Sequence, residues 1–164
     1  MTSQEYSKLM NYALRLLSKR SYTKQGLTEK LEKRAHKTKI QNKGVIIEIL
    51  ERLTELKYIN DLDFCERFFE ERCRLRPRGK YLLSQELRKK GIPKETLEEF
   101  WGSERGRAFD ENPLAQKLVV ARLSRLDAEL STYEKREKLY RFLASRGFSV
   151  GTIRDVLDKT LNPY

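Results

Sequence analysis

The chain is 164 residues long, a length that fits one compact domain or a string of small units sharing their cores. Its 35 Lys and Arg outweigh 24 Asp and Glu, giving a formal charge of +11, while a 38% hydrophobic content argues against wholesale disorder. Only 8 Gly and 4 Pro starve a β-rich fold of turn residues, and no uninterrupted apolar run is long enough to span a membrane.

Helical periodicity opens the chain. Tyr6, Leu9, Met10, Ala13, Leu16 and Leu17 recur at spacings of three and four and make one apolar stripe. Leu27 and Leu31 predict a shorter second helix; Ile46, Ile49, Leu50, Leu53 and Leu56 predict a third. A fourth starts after Asn60, a natural N-cap, with Asp61 and Asp63 favourable in its first turn. Its stripe carries Phe64, Cys65 and Phe68. Leu82, Leu83 and Leu87 follow and stop at Gly91, which suits the left-handed position beyond a helix end. Pro93 stands where a first helical residue would, ahead of Leu97, Phe100 and Trp101.

Residues 102–112 (GSERGRAFDEN) form a polar break that reads as a linker or hinge. Helix resumes at Pro113 with Leu114, Leu118 and Leu126. Another helix carries Leu139, Phe142 and Leu143 and closes at Gly147; Ser149 caps a last one with Val150, Ile153, Val156 and Leu157. No stretch alternates as a strand does. An all-α chain of about nine helices is expected.

An internal repeat organises these helices. Leu27, Leu83 and Leu139 are separated by 56 residues each time, as are Leu31, Leu87 and Leu143, and Arg34, Lys90 and Arg146. The register divides the chain into three three-helix repeats at residues 1–58, 59–102 and 113–164, with a linker at 103–112. A unit of this size buries little alone, so the three tandem three-helix repeats are expected to pack into an elongated, curved array.

Side chains that carry chemistry are scarce. Cys65 and Cys73 lie on one predicted helix, about 12 Å of rise apart, too far for a disulfide. Both read as small apolar side chains in a reducing compartment. The single histidine, His36, sits among Lys33, Arg34, Lys37 and Lys39, without the companions that a zinc site or a Cys–His nucleophile needs. No enzymatic activity and no cofactor are expected. Residues 1–8 lack the apolar core of a secretion signal, which points to the cytoplasm.

Charge follows the repeat. Residues 19–43 hold nine Lys and Arg against two Glu, residues 72–94 nine against one, and residues 133–146 five against two. These windows carry +18 of a total of +11, leaving −7 elsewhere. Each window contains the middle helix of its repeat, whereas Glu66, Glu70, Glu71, Glu95, Glu98 and Glu99 mark the outer helices. A merely solvated helix face would mix its signs. Segregation favours a polyanionic partner: nucleic acid, or an assembly containing it. Tyr22, Tyr81 and Tyr140 lie near the basic helices but read as packing rather than base-stacking residues.

The string YINDLDFCE at residues 58–66, followed by GKYLLSQELRKKGI at 79–92, resembles the central repeat of the RecX family. KLYRFLASRGFS at 138–149 resembles its third repeat, and ALRLL at 13–17 with LTEKL at 27–31 fits its first more loosely. The resemblance implies a monomeric, cytoplasmic modulator of the RecA recombinase that lies in the groove of the RecA–DNA filament. It implies restraint of ATP hydrolysis and strand exchange in recombination and repair, with single- or double-stranded DNA contacts. Under that reading Arg72, Arg74, Arg76, Arg88, Lys89 and Lys90 make the central contacts. Lys24, Lys30 and Arg34 extend the surface on one side, and Arg136, Arg141 and Arg146 on the other. Gly26 stands where the family often has the Glu of a capping box, which should soften the second helix. Residues 37–43 make a longer, more basic connection than the family leads one to expect. The alternative reading is an independent, sequence-tolerant DNA- or RNA-binding helical module.

Overall fold

The computed structural model describes residues 3–161, and all regular structure among them is helical. Ten helices follow in order: α1 Ser3–Leu17, α2 Lys24–Lys37, α3 Lys43–Glu55, α4 Asp61–Leu75, α5 Lys80–Lys89, α6 Lys94–Gly102, α7 Glu104–Arg107, α8 Asn112–Leu123, α9 Thr132–Ser145 and α10 Val150–Leu161. The helix beyond the expected nine is α7, a single turn inside the polar break. Ser103 explains it: its Oγ accepts from Gly106 N at 3.2 Å, an N-cap that the two glycines of this stretch obscure.

The chain divides into two compact units, Met1–Glu66 with Leu87–Phe100, and Arg67–Glu86 with Trp101–Tyr164. Helices α4 and α5 therefore each begin in one unit and end in the other. In the first unit α1, α2 and α3 pack on one another, and their stripes close over Leu9, Ala13, Leu27, Leu31, Ile49 and Leu53. In the second, α8, α9 and α10 enclose Ala115, Val119, Leu139, Leu143, Ile153 and Leu157. The repeated leucines at 27, 83 and 139 and at 31, 87 and 143 are all at most 1% exposed. They recur because each seats the middle helix of its repeat in apolar surroundings, a gain of about 2 kcal/mol per buried side chain.

Phe109 lies in the polar break yet packs tightly. Its ring centroid is 4.9 Å from that of Phe69, nearly perpendicular, and 5.9 Å from that of Trp101, whose indole N–H donates to Ser84 Oγ at 2.9 Å. This aromatic cluster ties residues 102–112 into the second unit.

One joint is built twice, once in each unit. In the first, Thr23 Oγ1 accepts from Gly26 N at 3.0 Å and donates to Lys90 O at 2.7 Å. Half of a capping box is thus enough to start α2 at Lys24, and the N-terminus of α2 meets the C-terminal end of α5. In the second unit Gly79 N donates to Arg146 O at 3.0 Å, so the N-terminus of α5 meets the end of α9. The partners differ by 56 residues, 23 and 90 becoming 79 and 146. Opposite helix-dipole ends approach at each joint, a favourable alignment. The turns beyond the abutting ends carry Gly91 at φ 84° and Gly147 at φ 79°, in the left-handed region where a Cβ is strained.

An acid further along the chain closes each joint. Lys24 N, at the start of α2, donates to Asp61 Oδ1 at 2.8 Å. Lys80 N, at the start of α5, donates to Glu111 Oε1 at 2.6 Å. Asp61 therefore does more than favour its own first turn; Asn60 takes that task, its Oδ1 accepting from Leu62 N and Asp63 N. Burial pushes the Asp61 carboxyl above its ordinary value of 3.8, outweighing the lowering by the Lys24 N–H and charge. The folded chain thus binds this proton more tightly than the unfolded chain, and stability from this group falls as pH rises from 3.8 through the raised value. We expect Asp61→Asn, which keeps one acceptor oxygen, to melt higher than the parent at neutral pH. Thermal melts across the acid range should show the gap closing towards pH 3.8; a gap independent of pH would refute the assignment.

Candidate functional site

The twelve cations expected to meet a partner fall evenly between the units. Lys24, Lys30, Arg34, Arg88, Lys89 and Lys90 belong to the first, and Arg72, Arg74, Arg76, Arg136, Arg141 and Arg146 to the second. Lys24 opens α2 with its side chain exposed, Lys30 is half-buried on the same helix, and Arg34 lies exposed with its guanidinium 5.3 Å from the centre of the Tyr12 ring. Arg88 and Lys89 end α5, and both are exposed with no acid paired to them among the described residues; Lys90 follows, also exposed.

The second unit sorts its cations into committed and uncommitted ones. Arg72 Nε donates to Glu86 Oε2 at 2.9 Å, and Arg78 pairs with the other oxygen of the same carboxylate. All three side chains are at most a quarter exposed, so the cluster is a structural tie between α4 and α5. Removing one member would strand a partly desolvated charge. Arg72 also lies 4.7 Å over the Phe68 ring. Arg136 pairs with Asp158 at 2.6 Å, and Arg141 pairs with Glu137 one turn earlier. Arg74 and Arg76 are exposed and hold no acid among the described residues, and Arg146 lies against the Phe142 ring at 5.2 Å. The pairs of Arg72 and Arg136 were invisible to sequence reasoning because Glu86 and Asp158 stand 14 and 22 residues away, beyond any helical pairing distance, whereas Arg141 and Glu137 are an ordinary pair one turn apart.

Two carboxylates organise this surface without belonging to a charge run. Asp61 and Glu111 hold the N-termini of the basic helices α2 and α5, and Glu111 Oε2 also accepts from Ser149 N and Thr152 Oγ1, each at 3.1 Å. The 56-residue register does not point to them, since Asp61 maps onto Lys117 and not onto Glu111. The available signal was an acid at a helix start: Asp61 opens α4 and Glu111 immediately precedes α8.

The cysteines offer little reactivity. Cys65 is buried and its thiol is pushed up to about 12 by desolvation, with Asp61 and Glu66 adding to the rise. Cys73 is half-buried and raised by the same burial. Neither is poised as a thiolate nucleophile. Among the described residues no group of three or more His, Cys, Asp or Glu is placed to hold a metal ion. No described helix is long and apolar enough to cross a membrane.

Fold and surface define a class: an all-helical protein of tandem three-helix domains, with exposed cations gathered on and beside its middle helices. The profile described as "RecX, second three-helix domain" matches residues 60–99, and that described as "RecX, third three-helix domain" matches residues 110–157. The chain is 33% identical over 159 residues to the regulatory protein RecX of Chlorobium phaeobacteroides (strain BS1), covering 97% of each chain. It is 30% identical over 155 residues to that of Bacillus subtilis (strain 168), covering 94% of this chain and 56% of the relative. The crystal structure of RecX from Lactobacillus salivarius shares the fold at a TM-score of 0.76 and 23% identity, covering 99% of each chain. The chain belongs to the RecX family of regulatory proteins.

Proposed function

We propose that this protein binds the RecA recombinase filament on DNA and restrains its ATP turnover and strand exchange, acting as a monomer through three repeats at residues 1–58, 59–102 and 113–164. Family membership supports the regulatory role, and the observation that carries the binding surface is the segregation of exposed cations onto the middle helices. The exposed trio at the end of α5, Arg88, Lys89 and Lys90, is its centre in the first unit. Many modest contacts on successive units of a filament add through effective concentration, so no single deep pocket is required.

Reversing that trio with Arg88→Glu, Lys89→Glu and Lys90→Glu places three acids where a polyanionic assembly would sit. DNA-dependent ATPase of RecA, restrained by the parent, should recover most of its uninhibited rate, with the helical circular dichroism unchanged. A folded triple variant that inhibits as well as the parent would refute this placement. Tight binding to bare single-stranded DNA with unaltered ATPase would instead mark an independent nucleic-acid-binding module.

A further inference from the structure

The duplicated joint carries more than backbone bonds. The loop entering α2 holds Arg20, and the loop entering α5 holds Arg76, exactly one 56-residue period later by sequence position. The turn beside the first loop holds Lys90, and the turn beside the second holds Arg146, again one period apart. Each pair lines a cleft lying wholly within one unit: Arg20, Lys30, Lys89 and Lys90 around the first, and Arg76, Arg78 and Arg146 around the second. Glu29 is the acid on the first lining, where it accepts from Gln25 Nε2 at 3.4 Å; the second lining has none.

We propose that the two joints are equivalent anion sites, each taking one backbone phosphate of a nucleic-acid strand, through Arg20 and Lys90 in one unit and through Arg76, Arg78 and Arg146 in the other. This rests on the regulatory reading above and assigns its phosphate contacts.

Three observations support the chemistry. Arg20 lies 4.6 Å over the Tyr22 ring and Arg146 5.2 Å from the Phe142 ring, so aromatic faces orient both guanidinium groups without neutralising them. Arg78 and Arg72 share the single carboxylate of Glu86, so that cluster keeps one net positive charge beside the second cleft, whose lining Arg78 joins. The helix N-termini at the joints are already capped by Asp61 and Glu111, so the cations and not the helix dipoles carry the site.

Phosphate fits better than a protein carboxylate. Cations reach the first cleft from a loop, from α2 and from the end of α5, which suits a tetrahedral group with acceptors facing several ways. A planar carboxylate offers two oxygens in one plane, which two guanidinium groups already satisfy at Glu86. Lysine is also depleted in the cores of protein–protein interfaces, whereas nucleic-acid interfaces are strongly cationic. Repetition follows as well: a junction forms only between consecutive repeats, so three repeats make two clefts.

The test uses the full chain and labelled oligo(dT), without RecA, titrated by fluorescence anisotropy over a range of NaCl concentrations. Arg20→Gln with Lys90→Gln should weaken binding on the order of tenfold at low salt. It should also flatten the plot of log affinity against log salt by about 0.7, the value for one phosphate on a single strand. Arg76→Gln with Arg146→Gln should do the same. Lys33→Gln with Lys37→Gln removes equal charge from α2 outside both clefts and should leave the slope unchanged. Oligonucleotide-induced amide shifts at Gly91 and Gly147 in the unaltered protein provide a measurement independent of variant folding. Equal losses from all three variants, or no shift at either glycine, would overturn the proposal. So would unchanged binding to bare DNA in cleft variants that lose their effect on RecA, which would assign the clefts to acidic protein groups. Normal cleft behaviour with no effect of the parent on RecA would overturn the regulatory reading alone.

Discussion

Replacing Gly79 with Ala should lower the melting temperature by roughly 6–12 °C, the shift that about 3 kcal/mol produces in a chain of this size. A Cβ at Gly79 would stand 2.1 Å from Gly147 O, 2.4 Å from Gly147 C and 2.5 Å from Phe148 Cα. All three are backbone atoms, so no side chain can rotate away, and the α5–α9 joint must separate or the turn at Gly147 must move. The turn has little room of its own, because a Cβ at Gly147 would meet Leu82 Cβ at 2.4 Å. Gly102 is the internal control. Nothing lies within 4 Å of a Cβ built there, and it ends α6, so Gly102→Ala should be neutral or raise the melting temperature slightly. Differential scanning calorimetry on the two variants decides the matter; a Gly79→Ala protein that melts with the parent would mean that the joint is not closed in solution.

Glu111→Ala should cost about 2 kcal/mol, or roughly 4–8 °C, because one carboxylate caps two helices. One of its oxygens serves Lys80 N and the other serves Ser149 N and Thr152 Oγ1, so α5 of the second repeat and α10 of the third are held by the same side chain. Losing it leaves two helix starts without their acceptors at once. Thr152 keeps its bond with Ser149 Oγ, which limits the damage at α10. Glu111→Gln retains one carbonyl oxygen and should lose about half as much. Hydrogen exchange gives the site-resolved check: the Lys80 and Ser149 amides should exchange faster together in Glu111→Ala. Acceleration at only one of them would show that the carboxylate does not bridge the two.

Much of the fold was legible because apolar periodicity is a local property. Leu27 and Leu31, one turn apart, demand a buried face wherever their helix lies, and the 56-residue register shows the demand recurring. Caps are equally local, as Asn60, Thr23, Ser149 and the positive-φ positions Gly91 and Gly147 illustrate. The one-turn helix α7 escaped because two glycines in a polar stretch outweigh a single capping serine by propensity. Phe109 escaped for the opposite reason: one aromatic residue has no period, and only its partners Phe69 and Trp101 reveal what it does.

The charge pattern was half legible. By itself the sequence determined an all-helical, three-repeat chain whose excess positive charge rides on its middle helices, because helix propensity, apolar spacing and charge runs all act within a few residues. Only the tertiary structure decided which cations are spent and which are available. Arg72 and Arg78 share Glu86, whereas Arg74, Arg76, Arg88 and Lys89 are paired with no acid among the described residues, and Asp61 and Glu111 close their joints by bonding amides 37 and 31 residues away. Ion pairs and caps of that reach depend on distances of a few ångströms between segments remote in the chain, and no local pattern encodes them.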